Sequence, residues 1–453
     1  MRVGLTESVC PVCLRKLSAE KRTGADGYIY MDKQCPEHGK FSTLIWEDNL
    51  ISYMRWNLGS STVEPPVNGK DAKNGCPNDC GLCKAHLRKG CCMLLELTTR
   101  CNLRCPVCFA SAGTEERELS MEEIERQYDY LMSHGGPFNI QLSGGEPSMR
   151  DDLPEIIALG RKKGFSFFQL NTNGIRLAAD AEYARTLKAA GLNTVFLQFD
   201  GVDDAVYMAL QMCIRDSYMA LRGRALMAKK LAAIENCAAA GLGIVLVPVI
   251  APGVNDAQVG DILRFALERM PAIRGVHFQP ISYFGRCGLE RPEKPITIPR
   301  MLRLIEEQMC GAMHAQDFAG GGAENPYCSF HASYLRRADG SLRLLPKKSG
   351  ASACCCTTSD DSRSYVAKQW NGEDEPDYAS DPELCETSAL DDFLEQARRS
   401  TFAVSGMIFQ DAYNLDLERL RRCYICEVDS EFGMVPFCAY NLTNTEGRAL
   451  YRR

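Results

Sequence analysis

Cys101, Cys105 and Cys108 stand in LELTTRCNLRCPVCFA with the spacing C-x3-C-x2-C. Three thiolates at this spacing can hold three irons of a [4Fe–4S] cube and leave the fourth without a protein ligand. An open iron of that kind can be chelated by an amino and a carboxylate group of a small molecule. Electron transfer from the reduced cube to that molecule is then inner-sphere. The spacing alone also suits zinc or a ferredoxin-type cluster, so its setting in the chain has to decide.

Three further motifs follow at intervals. In LSGGEPSM, Gly144 and Gly145 permit close approach of a ligand to the backbone, and Glu146 can accept from an α-ammonium group. In LNTNG, Asn171 and Asn173 can meet ribose or carboxylate oxygens; a plain Asn-Gly turn accounts for the same residues. In QFDG, Gln198 and Asp200 point to the same place with a weaker signal.

The chain has 23 cysteines, and several others sit two or three residues apart, which suits metal ligation better than disulfides. CPNDCGLC repeats the C-x3-C-x2-C spacing at Cys76, Cys80 and Cys83, with Cys91 or Cys92 available as a fourth thiolate. A complete four-cysteine cluster would conduct electrons or position substrate, while a second catalytic cluster is the alternative. Nearer the start, Cys10 and Cys13 pair with Cys35 and His38 across an expected hairpin at Tyr28–Met31, a Cys3His set suited to structural zinc or a mononuclear iron. Cys423, Cys426 and Cys438 could complete another cluster or cover the site. Cys354–Cys356 are adjacent and stay unassigned, and Cys385 and His134 read as structural or surface residues.

The elements that must position these motifs begin near Met93. Apolar strands are expected at Met93–Thr98, Phe138–Leu142, Ser166–Leu170, Thr194–Phe199, Ile244–Ile250 and Val276–Ile281. Helices are expected between them: one capped by Ser120 and Glu123 and ended at Gly135-Gly136, then Asp152–Lys163, Ala178–Ala190, Arg222–Ala240 and Asp256–Met270. Alternation of this kind gives parallel strands with right-handed crossovers, and loops after the strand ends form the site. Every motif from Cys101 to Asp200 lies on such a loop. The expected fold is therefore α/β, a partial (β/α)6 barrel over 93–320, with a metal-binding module at 1–60, an auxiliary segment at 61–92 and a cysteine-containing extension at 321–453. Tyr207–Leu210 recurs at Tyr218–Leu221 around QMCIRDS, so residues 211–221 read as an interruption of a helix, and Cys213 receives no role.

Net charge is −6 with no long basic run, which argues against a nucleic-acid partner. The first residues carry no apolar signal segment, and the longest apolar run, Leu242–Ala251, falls short of the roughly 20 residues a span needs. A cytoplasmic protein with no transmembrane segment is expected.

Taken together, the Cys101 loop, LSGGEPSM and LNTNG closely resemble the radical S-adenosylmethionine (SAM) superfamily over about residues 93–282. The resemblance implies that Cys101, Cys105 and Cys108 ligate a [4Fe–4S] cluster, that Gly144–Pro147 hold the SAM amino group, and that SAM is cleaved to a 5′-deoxyadenosyl radical. CPVC…CPEHG, GCPNDCGLC, LVPVIAPGVND, QPIS and VPFCAYN are similar to one branch, which contains archaeal tetraether lipid synthases and pterin-methylating enzymes with two C-x3-C-x2-C motifs. That likeness implies C–C bond formation on lipid chains or methyl transfer to a heterocycle, a lipid or small-molecule substrate, auxiliary clusters, and an external one-electron reductant such as flavodoxin or ferredoxin. A peptide-modifying radical SAM enzyme is an alternative, and a non-catalytic multi-cluster electron carrier is one from a different class.

Overall fold

A computed structural model of the chain describes residues 1–57, 63–113, 116–202, 221–346, 358–371 and 399–452. Residues 211–220, Cys213, Cys354–Cys356 and Cys385 lie outside the described residues.

The first 46 residues form an antiparallel sheet in the order β1 (Arg2–Val9), β2 (Lys16–Thr23), β3 (Ile29–Cys35), β4 (Gly39–Trp46). The chain reverses between β2 and β3 one turn earlier than the sequence suggests. Gly27 takes the left-handed conformation there, and Asp26 accepts from the Tyr28 N–H and the Tyr30 hydroxyl. Tyr28–Met31 therefore opens β3 and is not the hairpin turn.

The remaining strands are β5 (Cys92–Thr98), β6 (Val107–Cys108), β7 (Asn139–Gly144), β8 (Phe168–Thr172), β9 (Thr194–Gln198), β10 (Gly243–Val247), β11 (Val249–Ile250), β12 (Ile273–Pro280), β13 (Arg286–Cys287), β14 (Ser329–Arg336), β15 (Leu342–Leu344), β16 (Thr401–Met407), β17 (Ile425–Asp429) and β18 (Gly433–Pro436). Six of them, β5-β7-β8-β9-β10-β12, pair in parallel and in sequence order, as the alternation requires. The sheet extends beyond that unit on both edges. β16 pairs in parallel with β12 and antiparallel with β14, while β17 pairs in parallel with β5 and antiparallel with β18. The order runs from β15 to β18 without closing.

Helix boundaries follow local chemistry. The helix Met121–Ser133 carries the expected capping box, with Ser120 Oγ accepting from the Glu123 N–H and Glu123 accepting from the Ser120 N–H. Such a cap contributes about 1 kcal/mol. The stretch expected as one helix at Ala178–Ala190 is two, Ile175–Ala179 and Ala181–Ala190. Asp180 leaves helical geometry so that its carboxylate can accept from the Tyr183 N–H. The helix expected from Arg222 begins at Met227: residues 221–222 are helical, but Gly223 takes a left-handed φ of 73° and interrupts the run before Met227.

Side chains alternate across the six strands. Leu95, Leu97, Ile140, Leu142, Phe168, Leu170, Val195, Leu197, Ile244 and Leu246 face the helices in one continuous core. The intervening residues face the concave side, where Glu96, Gln141, Gln169, Asn171 and Gln198 make a polar stretch beside the apolar Leu94, Phe196, Val245 and Val247. Gln169 donates to Asn171 at 3.0 Å and Asn171 donates to Gln141 at 3.2 Å across neighbouring strands. One part of this face is filled by the helix Ser359–Trp370, whose Trp370 packs on the rings of Phe196 and His277.

Candidate functional site

The Cys101 loop leaves the end of β5, and the Gly144-Gly145-Glu146 turn leaves the end of the adjacent β7. The two are joined by backbone hydrogen bonds, Gly145 N–H to Thr98 O at 2.7 Å and Glu146 N–H to Arg100 O at 2.8 Å. The need for glycine here is steric: a Cβ at Gly144 would lie 2.3 Å from Thr98 O, and one at Gly145 would lie 2.1 Å from Arg100 O. The glycines thus admit the cysteine loop's own backbone, a closer neighbour than any ligand.

Glu146 is buried and its carboxylate is filled by the protein. Oε1 accepts from Thr172 Oγ1 and Ser148 Oγ at 2.6 Å each and from the Ser148 N–H at 3.2 Å, and Oε2 accepts from the Asn173 N–H at 2.7 Å. It locks the β7 turn to the β8 turn. Asn173 in turn donates to Asn102 Oδ1 at 2.7 Å, reaching into the cysteine loop. Pro147 begins a single 3-10 turn behind it. Asn171 lies on the concave face below.

Gln198 and Asp200 are brought together with Lys230 and Arg222, which the sequence reading passed over. Asp200 is buried and takes Arg222 Nε at 2.7 Å and the Val249 N–H at 3.0 Å, beside the Gln198 amide. Arg222 also donates to Val107 O in the cysteine loop. Lys230, buried in the first turn of the helix Met227–Ala239, donates to Gln198 Oε1 at 2.9 Å and Asn173 O at 2.6 Å. Burial pulls its ammonium down to about 7, against the opposing pull of Asp200. A lysine at the apolar positions Met227, Lys230, Ile234, Cys237 was the signal available in sequence.

Burial raises the thiols of Cys101, to about 12, and of Cys105, with the neighbouring cysteine sulfurs acting in the same direction. Neutral thiols on one loop are a donor set that a positive iron centre would ionise. Among the described residues, Cys10, Cys13, Cys35 and His38 make up the set whose ligand atoms all lie within 4.8 Å of one another. That spacing suits a single tetrahedral ion. In this set, burial works to raise the Cys35 thiol, but hydrogen bonds from His38 and from the Glu37 and His38 N–H groups bring it to about 6.

Cys76, Cys80 and Cys83 line one cavity of about 190 Å³ with Asp79, His86 and Arg421. The loop is docked on the β17–β18 hairpin region: Tyr451 accepts from the Cys80 N–H, and the Leu87 N–H donates to Arg421 O. Cys91 does not line this cavity. It is buried on the side of Glu324, Arg363 and Asp360, and burial pushes its thiol up to about 12. Cys92 interacts with Gln141 on the concave face. Cys423 and Cys438 gather with Cys328, which the sequence reading did not single out, while Cys426 turns into the main core.

Residues 95–266 match the model of the radical SAM superfamily, and residues 3–47 match that of the HMPTM N-terminal zinc ribbon domain. Over 96% of this chain and 93% of its own length, 7,8-dihydro-6-hydroxymethylpterin dimethyltransferase of Methanocaldococcus jannaschii is 33% identical. The chain belongs to the radical SAM superfamily. It is a radical SAM enzyme with an N-terminal zinc ribbon, and the family implies a [4Fe–4S] cluster and SAM. The GTP 3′,8-cyclase of Paenarthrobacter nicotinovorans is 32% identical over 45% of this chain and 55% of its own. The solved structure of Streptococcus suis SuiB bound to S-adenosylmethionine covers 48% of this chain and 46% of that one, at 16% identity and a TM-score of 0.39. Among the described residues, no helix is long and apolar enough to cross a membrane.

Proposed function

We propose that this radical SAM enzyme holds its cluster on Cys101, Cys105 and Cys108 and transfers a methyl group to a pterin-like heterocycle. The carrying observation is the junction of the cysteine loop with the β7 turn through Gly145 and Glu146. When bound there, the cluster and SAM supply a 5′-deoxyadenosyl radical that abstracts hydrogen from an unactivated carbon. The chain's own residues orient and enclose. Glu146 fixes the two turns to each other, so the SAM ammonium group meets backbone oxygens of Gly144–Pro147 more readily than the filled carboxylate. Lys230 holds the backbone oxygen of Asn173 and the side-chain oxygen of Gln198, which fixes the ends of β8 and β9 beside the ribose and carboxylate of SAM, and the Asp200–Arg222 pair holds the far side of the loop. The polar stretch of the concave face, with Glu96, Gln141, Gln169 and Asn171, suits a substrate rich in hydrogen-bonding edges. The relative in Methanocaldococcus jannaschii supports the same reading.

Cys10, Cys13, Cys35 and His38 are proposed as the ribbon's metal ligands. Cys76, Cys80 and Cys83 are proposed to hold an auxiliary cluster, with Cys423 and Cys438 near Cys328 as a further thiolate group. C–C bond formation on a lipid chain is the second reading, for which a cleft offers Trp46, Tyr53, Ile281 and Phe409 but also the charged Arg291, Asp411, Asp416 and Arg419.

The test is anaerobic reconstitution with iron and sulfide, reduction, and mass spectrometry of 5′-deoxyadenosine with a reduced pterin or an isoprenoid lipid added. Stimulation by the pterin together with a methylated pterin product is expected. Stimulation by the lipid alone would replace the first reading with the second, and no 5′-deoxyadenosine from loaded protein would sink both.

A further inference from the structure

Arg286 lies on β13, in the loop after the sixth parallel strand, yet every group it touches belongs to the cysteine loop. Its Nε donates to Cys105 O at 2.8 Å, and both terminal nitrogens donate to Ala112 O at 3.1 Å. Its backbone pairs antiparallel with β6, placing Arg286 opposite Cys108 and Cys287 opposite Val107. Gly285 makes this approach possible: its φ is +61°, and a Cβ there would lie 2.3 Å from Phe109 O and 2.6 Å from Cys108 O. The Gly288 N–H adds a bond to Pro106 O at 3.0 Å.

A second guanidinium closes the loop from the other side. Arg452 grips Glu96 of β5 with two bonds of 2.7 and 2.8 Å and donates to Ala110 O at 3.3 Å. It also stands 5.9 Å from the Phe109 ring and 5.0 Å from the Tyr440 ring. The two arginines differ in charge balance. Arg452 is neutralised by Glu96, whereas Arg286 has no carboxylate within 4.0 Å among the described residues. Among the described residues its half-buried positive charge is met by carbonyl dipoles of the loop that carries Cys101, Cys105 and Cys108.

We propose that Arg286 is a positioning residue that clamps the cysteine loop and supplies an uncompensated positive charge to the cluster held there, with Arg452 as the neutral half of the clamp. This rests on the assignment of a cluster to Cys101, Cys105 and Cys108. Backbone carbonyls turned toward a guanidinium are turned away from the sulfurs, so the loop's shape is fixed before metal arrives. A cation beside a cluster favours its more negative, reduced form, because net charge and nearby hydrogen bonds set the potential. Loss of an outer partner of this kind costs about 10–100-fold in metal retention.

The experiment compares full-length reconstituted wild type with Arg286→Met and Arg286→Lys. SAM-induced change in the electron paramagnetic resonance spectrum marks the relevant cluster, its potential is followed by redox titration, and iron release is timed with a ferrous chelator. Arg286→Met is expected to need a more negative potential at the SAM-responsive cluster and to release its iron about 10–100-fold faster. The ribbon metal and any other cluster should keep wild-type rates. Arg286→Lys should recover the potential but not the release rate, since it restores charge without the fork. Wild-type values in Arg286→Met would overturn the proposal, as would equal loss of every metal, which marks general unfolding. A wild type with no SAM-responsive signal would instead sink the cluster assignment underneath it.

Discussion

Lys230 Nζ lies 2.9 Å from Gln198 Oε1 and 2.6 Å from Asn173 O, so one buried ammonium ties the turn after β8 to the end of β9. Both partners are acceptors that lose their donor in Lys230→Met. Leaving buried acceptors unpaired costs about 1–3 kcal/mol each, and the strand ends they fix are those proposed to flank SAM. Lys230→Met should therefore bind SAM more weakly and melt at lower temperature, measured by calorimetry and by isothermal titration with SAM.

The same lysine carries a pH signature. Its folded value of about 7 lies below the roughly 10.4 of an unfolded lysine. Between those values the unfolded chain binds the extra proton, so the contribution of Lys230 to stability rises with pH from about 7 to about 10. Lys33, also drawn to about 7 by burial, does the same in both proteins and cancels in a comparison. The melting temperature of wild type relative to Lys230→Met should climb across that window; a parallel pair of curves would count against a buried, depressed ammonium.

Steric crowding at the β7 turn separates two kinds of glycine. Gly145→Ala places a methyl group 2.1 Å from Arg100 O, a backbone atom that cannot rotate away. Gly27 is left-handed but has nothing within 4 Å of its Cβ. Gly27→Ala should cost only the roughly 1–2 kcal/mol of backbone strain with SAM cleavage intact. Gly145→Ala should lose 5′-deoxyadenosine formation, because the cysteine loop must move. Equal activity in the two variants would contradict this reading of the turn.

These contrasts also mark what the sequence could and could not reveal. The six parallel strands, and a motif at the end of the first four, were readable because apolar runs and capping residues are local signals. The β2–β3 reversal was misplaced because the Asp26 cap competes with the strand-like residues that follow. Arg286, Arg452 and Arg222 were invisible because their partners lie far away in the chain; Arg452 and Glu96 are 356 positions apart. Cys91 looked like a ligand because it is near Cys83 in sequence, but Cys91 is buried on the Glu324 side and the cavity holding Cys83 lies elsewhere.

His38 is the ribbon ligand whose removal is most informative. Its Nδ1 is 3.4 Å from Cys35 Sγ and 3.7 Å from Cys10 Sγ. In His38→Ala three thiolates remain, and a tetrahedral site loses one of four donors. Metal analysis should show the ribbon ion more easily removed by chelator while labile sulfide is unchanged. A fall in sulfide on this substitution would mean that the ribbon does not hold a single ion.

The cavity beside Cys76, Cys80 and Cys83 makes an opposite pair of expectations for cysteine variants. Because Cys91 faces away from it, Cys91→Ala should keep the iron and sulfide content of wild type and lose only packing. A buried thiol replaced by methyl costs on the order of 1 kcal/mol. The variant lacking Cys76, Cys80 and Cys83 should lose one cluster's iron and sulfide yet keep the SAM-induced spectroscopic change at the Cys101 loop. Loss of iron in Cys91→Ala would show that the thiol reaches the cavity after all when metal is bound. Retention of iron in the triple variant would remove the second cluster from this chain. If both expectations hold, the cavity presents three cysteines and, from its lining, Asp79 and His86 as the nearest further donors. His86 is the better placed of those two: its Nε2–H donates to Cys423 O at 2.7 Å and leaves Nδ1 as the lone pair, whereas both Asp79 carboxylate oxygens already accept from Asn74. His86→Ala should then alter the cluster's spectrum and lower its iron content, and Asp79→Ala should leave both unchanged.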